Sequence, residues 1–450
     1  MTDVATRRES AGAAERGAWD RWRPVLMRLH FYGGMLAGPF ILMAALTGLL
    51  YTLTPQLDAI AFRHELTVDA TAPARASLSD QIAAARQVYP DTPISSVKPP
   101  TVPSETTQIA FDVPGLADGY TRTVFVNPYT AHVQGTLTTY GQWMPIRSWF
   151  DELHRTLHLG TVGRFYSETA ASWLWVAALG GVALWVAHVR RARRGARGLV
   201  VPDLRGRRGS RRRAMNWHGA VGICVAVGLL GLSVTGLTWS RFAGDHVSAL
   251  RAALTWTTPS VSTRTTSAGT GAFDGAAGAD TALHSAEAAG LRAPMWMTPP
   301  SAPGEAWQVA ERKRDFPTRG DAVAVDPRTG TVVDEVRFRD WPLTAKLTRW
   351  AIDAHMGLLF GVANQVALAA LALGLITVVV RGYLMWWRRR PTRAAPPRGA
   401  LAGLRPGEAV AAIAALALVG WFAPLFGATL GMFVLGDVAA GALSRRRAGA

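Results

Sequence analysis

Of the ten histidines in the chain, four fall into two matched pairs. His30 and His218 each open an apolar run, "HFYGGMLAGPFILMAALTGLL" and "HGAVGICVAVGLLGLSVTGLT". Laid on one another, these runs align Gly34 with Gly222 and Thr47-Gly48-Leu49 with Thr235-Gly236-Leu237 without a gap. His154 and His355 precede two further apolar runs. An offset of 201 residues places them together, along with Gly160 and Gly361, Gly181 and Gly382, and Trp185 and Trp386. Neutral imidazole is a common metal ligand and a good axial ligand for haem iron. Two imidazoles from facing helices would close both axial positions of one haem, which suits electron transfer rather than oxygen chemistry. One such haem at each membrane face would make an electron path. The spacing fits a plainer reading as well, in which each histidine is an interfacial polar residue copied with its helix. No CxxCH site occurs, so any haem would be b-type, and two are expected.

The other histidines carry less. His158 lies one turn after His154 on the face of a continuing helix, and reads as a substitute ligand, a supporting group or a substrate contact. His188 adjoins an arginine block and reads as solvated. His64, His132, His246 and His284 have no ligand-like spacing. Asp151, Glu152, Arg155 and Asp353 near the outer pair read either as a charged helix surface or as a binding surface, with Arg155 able to meet a haem carboxylate.

The elements that must hold these residues are membrane helices. Apolar residues make up 49% of the chain and charged residues 18%. Runs near the roughly 20 residues needed to cross a bilayer appear at 29–53, 168–189, 216–240 and 362–387. The net charge of +17 is concentrated in blocks beside these runs, such as Arg190 to Arg213 and Arg381 to Arg398. That is the positive-inside pattern rather than a nucleic-acid surface, since no recognition motif accompanies it. It makes the tail 1–28 and the loops 190–215 and 388–408 cytoplasmic, and the segments 54–167 and 241–361 extracytoplasmic. The chain is thus expected in a bacterial inner membrane, multi-pass, with its N-terminus cytoplasmic and its first helix uncleaved. An apolar stretch at 409–443 with Pro424 near its middle is expected to be a helical hairpin, which returns Arg445 to Arg447 to the basic side. Cys224, the one cysteine, lies inside a span and reads as an inert packing residue.

The polar segments repeat too. Residues 78–90 have helical spacing, with strand-like runs at 94–98, 107–113 and 121–126, then "NPYTAHVQG". In the second half a helix candidate starts at Asp280, with strand-like runs at 306–311 and 321–326, then "DPRTGTVVDE". Asn/Asp-Pro-x-Thr marks a turn between strands. Each segment is therefore read as one helix on a short antiparallel sheet, with a linker at 255–279 rich in Ser, Thr, Gly and Ala. The fold class expected is a membrane α-helical bundle of four core spans plus a C-terminal hairpin. It carries two small extracytoplasmic α+β domains and arises by internal tandem duplication, with a pseudo-two-fold axis along the membrane normal.

These features resemble the PepSY-associated transmembrane family of iron-regulated membrane proteins. The resemblance rests on "RLHFYGGMLAGPFILMAALTGLLY", "ELHRTLHLGTVGRF", "NWHGAVG", "DAHMGLLFG" and "RGYLMWWRRR", and covers roughly 25–440. It implies that the two soluble segments are PepSY-like domains, that His30, His154, His218 and His355 ligate b-type haem iron, and that the activity is ferric-siderophore reduction. The usual apolar residue at the position of His158 is absent, which leaves His154 and His158 both open as the outer ligand. So read, the chain transfers electrons across the membrane to an extracytoplasmic ferric chelate. Its donor is a separate cytoplasmic or membrane protein, because no dinucleotide fingerprint is present. The alternative is a non-enzymatic PepSY membrane protein that binds a peptide, protease or metal-uptake partner. A transporter is disfavoured, since the spans lack intramembrane carboxylates facing a cavity.

Overall fold

The computed structural model describes residues 17–69, 74–205, 207–265, 276–388 and 400–448. Most of the N-terminal tail, with Arg7, Arg8 and Arg16, lies outside the described residues, as do the centre of the 255–279 linker and most of the 388–408 loop. In chain order the main elements are α1 (Ala18–Tyr51), α2 (Thr54–Ala61), α3 (Leu78–Arg86), β1 (Ile94–Lys98), β2 (Thr107–Phe111), β3 (Tyr120–Val126) and β4 (Val133–Tyr140). There follow α4 (Pro145–Thr156), α5 (Gly160–Arg191), α6 (Arg211–Thr238), α7 (Phe242–Ala253) and α8 (Ala279–Ala288). The chain continues with β5 (Met295–Thr298), β6 (Trp307–Glu311), β7 (Ala322–Val325), β8 (Val332–Val336), α9 (Leu343–His355), α10 (Gly361–Trp387), α11 (Pro406–Phe422) and α12 (Pro424–Ala448).

Two compact units result. The first contains residues up to Leu50, Glu152–Leu254 and Val366 onward; the second contains Tyr51–Asp151 and Thr255–Gln365. The first is helical and holds the apolar spans. Among the described residues four helices, α1, α5, α6 and α10, are long and apolar enough to cross a membrane. α1 and α5 start well before the apolar runs at 29 and 168, at Ala18 and Gly160. The unit boundary accordingly falls between Asp151 and Glu152 rather than near 167, and 241–254 also belongs to the helical unit.

Small residues set how closely these helices approach. A Cβ on Gly219 would lie 2.2 Å from the Trp185 ring, and one on Gly228 would lie 2.5 Å from Leu371. Near the C-terminus the helix breaks at Ala423, and Pro424 starts α12. α11 and α12 touch backbone to backbone where Gly420 meets Gly427. Trp173, fully buried, donates its Nε1–H to Thr429 of α12 and packs on Phe426 and Phe433. Arg21 and Arg28 of α1 pair with Glu408 and Asp437 of the two last helices. Cys224 lies on an exposed face of α6 instead of packing within the unit.

The second unit is one eight-stranded antiparallel sheet in the order β4-β3-β2-β1-β5-β6-β7-β8. The two expected four-strand segments are therefore joined edge to edge, with Val97 of β1 opposite Met297 of β5. β4, β5 and β8 were not among the strand-like runs; β5 in particular is only four residues, "MWMT". Helices α3 and α8 pack on the sheet through Leu78, Ile82 and Ala85, and Ala279, Ala282 and Ala286, over Val97, Phe111, Met297 and Trp307. The expected turns match. The backbone N–H of Asn127 donates to His132 O at 2.8 Å, and that of Asp326 donates to Thr331 O at 2.9 Å. The side chain of each accepts the backbone N–H two residues on, at 2.9 Å.

Candidate functional site

His30 and His218 meet inside the helical unit. Their ring centroids are 5.9 Å apart, with the planes at 81°. Nδ1–H of His30 donates to the carbonyl of Ala177 on α5 at 2.8 Å, and Nδ1–H of His218 donates to the carbonyl of Val378 on α10 at 2.8 Å. A carbonyl accepts only, so the proton of each neutral ring sits on Nδ1. Nε2 is left as a lone-pair donor with no hydrogen-bond partner among the described residues. Backbone anchoring of one ring nitrogen is how proteins orient metal-binding imidazoles. Ring centres this close would allow one metal atom, with bonds of about 2 Å to nitrogen, to be held by both imidazoles.

The neighbours follow the offset of 201 found in the sequence. Ala177 corresponds to Val378, and Gly181 to Gly382. A Cβ on Gly181 would come 3.0 Å from His30 Cε1, and one on Gly382 would come 3.6 Å from His218 Cε1. Just after His30, α1 takes a π-helical turn over Gly33–Ala37, a local widening that often accompanies functional sites. Tyr383 donates its hydroxyl to the Met35 carbonyl in that turn at 2.9 Å.

Both histidines line a cavity of about 440 Å³, within the range of ligand sites. Its walls are largely apolar and include Met27, Met35, Met215 and Met385, while Arg23, Arg191 and Arg211 also border it. Gly34 borders it too, and a Cβ there would meet nothing within 4 Å. Among the described residues no group of three or more His, Cys, Asp or Glu is placed to hold a bare ion. The site offers two imidazole nitrogens and a largely apolar cavity, which suits a metal that brings its remaining ligands with it.

The chain matches the family model described as PepSY-associated TM region over residues 27–389. It belongs to that family. The match takes in α1 from residue 27, all of α5, α6 and α10 and the whole sheet, and so includes both histidines of the cavity. No curated protein matches the chain.

The remaining histidines divide. His154, near the end of α4, places Nδ1 2.9 Å from Thr47 Oγ1, whose own hydrogen goes to the Met43 carbonyl, so the ring is the donor. Gly48 leaves room beside it, since a Cβ there would lie 3.3 Å from His154 Cε1. His355 is the last residue of α9 and belongs to the sheet unit, whereas His154 belongs to the helical unit. His158 does not continue the helix of His154. α4 ends at Thr156, Leu157 and His158 take φ of 54° and 57°, and His158 is exposed, so the shared helical face does not exist. His188, expected to be solvated, instead borders the cavity and stacks on Trp185 at 5.3 Å and 19°. The signal for it was present as the i, i+3 spacing of Trp185 and His188. His246 bonds the Phe422 carbonyl at 2.9 Å and stacks on Trp421.

Proposed function

We propose that the chain is a di-haem b electron-transfer protein of the inner membrane that reduces an extracytoplasmic acceptor, Fe(III)-siderophore being the substrate class. The observation that carries the reading is the His30–His218 pair, with Nδ1 of each ring tied to a backbone carbonyl across a glycine-lined cavity. A b-type haem held by two imidazoles passes single electrons without an open site for oxygen. The protein's part is to fix both ring tautomers, exclude water with apolar walls, and offer Arg23, Arg191 and Arg211 to propionate carboxylates. On the sequence repeat alone, His154 and His355 are the expected ligands of the second haem. By the positive-inside pattern the basic connection 190–215 is read as cytoplasmic and the segments 54–167 and 241–361 as extracytoplasmic. Electrons then enter from a separate donor and leave on the outer side. Reduction of iron weakens its hold by hard-oxygen chelators, which frees the metal. The internal repeat is read as a tandem duplication.

The test is optical. Protein purified from haem-replete cells should show a reducible b-type spectrum at about two haems per chain. His30→Ala or His218→Ala should remove one, and His154→Ala or His355→Ala the other. A colourless protein refutes the reading.

A further inference from the structure

The connection between α5 and α6, read as cytoplasmic, is tied down onto the two helices. Trp185 of α5 donates its Nε1–H to the Leu199 carbonyl at 2.9 Å. Arg194 donates from Nη1 to Asn216 Oδ1 of α6 at 2.7 Å and from Nη2 to the Val201 carbonyl at 3.2 Å. Leu199 packs with Trp185, Val189 and Ala220. Asp203 accepts the backbone N–H of Arg205 at 2.9 Å and pairs with Arg212 at 3.1 Å.

What this scaffold displays is apolar. Val200, Val201 and Leu204 are 53%, 43% and 48% exposed. Exposed arginines flank them in the chain, Arg193 and Arg197 before and Arg205, Arg207 and Arg208 after. None of these arginines pairs with a carboxylate among the described residues. The neighbouring acidic groups are already matched, Asp203 by Arg212 and Asp20 by Arg191 at 2.8 Å. A positive-inside signal needs charge alone, and a loose basic loop supplies it. It needs neither an anchored backbone nor three apolar side chains held in the open. An apolar centre within a charged rim is the make-up of a protein docking surface. The place of the patch points to its use. Trp185, which holds Leu199, borders the His30–His218 cavity, and so does His188, stacked on the Trp185 ring. We propose that this surface docks an acidic one-electron carrier protein, the donor to the inner site. Acidic groups on the carrier meet the arginines, and an apolar spot on it covers Val200, Val201 and Leu204. The electron rests on the haem reading; the surface does not. One electron leaves the reduced carrier for ferric iron held at the His30–His218 pair. The carrier ends oxidised and the iron ferrous, and no covalent bond or proton changes place.

The experiment uses the full chain in phosphatidylcholine nanodiscs. A plant-type ferredoxin and a flavodoxin are the acidic probes, and the basic cytochrome c is the control. At low salt at least one acidic probe should bind saturably and cytochrome c should not, and binding should fall as salt screens the rim. Arg207→Glu combined with Arg208→Glu should weaken it about tenfold or more. Leu204→Ser leaves every charge and every hydrogen bond of the connection in place, so its thermal midpoint should be unchanged while binding weakens about threefold or more. The photoreduced probe should reduce the bound haem with the same ranking of losses, while dithionite reduces parent and variants alike. A Leu204→Ser protein that binds as the parent does shows general charge attraction and overturns the proposal. So do variants that change only the preference for phosphatidylglycerol over phosphatidylcholine nanodiscs, since the patch is then a lipid contact. A coloured chain that binds neither acidic probe overturns the surface. A colourless chain that binds one of them refutes the haem reading and leaves the docking surface standing.

Discussion

At His30 and His218 the decisive detail is which nitrogen carries the proton. A carbonyl 2.8 Å from each Nδ1 settles the tautomer of both rings and leaves the Nε2 lone pair of each without a hydrogen-bond partner among the described residues. Gly34 offers a test that leaves the histidines alone. A side chain there meets open space and improves on glycine's helix propensity. Gly34→Leu should therefore fold with an unchanged or raised thermal midpoint while losing most of the haem absorbance assigned to the inner site. Retained absorbance would place the bound group elsewhere. The pairing of His30 with His218 was legible because two helices with the same motif turn the same residues to a common partner. The positions of His158 and His188 were not. Left-handed backbone at Leu157 and His158 carries no glycine to announce it, and a histidine beside arginines looks solvated until its neighbouring helix is known.

Among the elements, carboxylates from elsewhere in the chain seat helix N-termini. Glu168 of α5, 1% exposed, accepts the backbone N–H groups of Phe242 and Ala243 at 3.0 Å each, where α7 begins. Asp58 of α2 accepts those of Ile146 and Arg147 at 3.1 and 3.3 Å, where α4 begins. Such groups satisfy orphan donors and answer the helix dipole. Burial nevertheless pushes the Asp58 carboxyl up to about 6, against the pull of those two N–H groups and of Arg147. A carboxyl raised in the fold favours the folded state when protonated. Its contribution is present below the ordinary carboxylate range and is lost as pH rises through about 6. Asp58→Asn should therefore gain thermal stability relative to the parent between about pH 4.5 and about pH 7.5. Melting curves of both proteins across that interval decide it; a constant difference would show that Asp58 titrates normally. Spans and turns of these elements were readable from apolar length and from Asn/Asp-Pro-x-Thr. The π-helical turn at Gly33–Ala37 was not, since nothing in "GGMLA" separates it from ordinary helix.

On the scale of the whole chain, the sheet is where the halves become one body. Besides the β1–β5 pairing, Asp280 of the second half accepts the backbone N–H groups of Leu78 and Ser79, which open α3 in the first half, at 2.6 and 2.9 Å. Burial pulls the Asp280 carboxyl up, but the hydrogen bonds from Ser79 and Leu78 outweigh it and hold it below its usual value. Its stabilisation is present above the ordinary carboxylate range and is lost as pH falls through the lowered value. Asp280→Ala should cost about 1–2 kcal/mol at neutral pH, as loss of a helix cap does, and the deficit should shrink in acid. Denaturation monitored by the burial of Trp307 and Trp296 fluorescence would report it. Each half-sheet was legible from its own residues. Their fusion was not, because β1 and β5 meet through register and edge geometry, and a four-residue strand leaves little pattern to read.

The β1–β5 seam also bears on what one half of the protein would do by itself. Cut free, the first half would present the β1 edge with Val97 and an open row of amides, and bare strand edges recruit other strands. Because β1 and β5 run antiparallel, a second copy of β1 can take the place of β5. Residues 17–200 produced alone should thus form a symmetric dimer sealed through β1, measurable by mass in detergent, and Val97→Pro should turn it into a monomer. Within the complete chain that same seam works as a built-in partner, so the protein carries its own dimerisation contact and does not depend on concentration to close it.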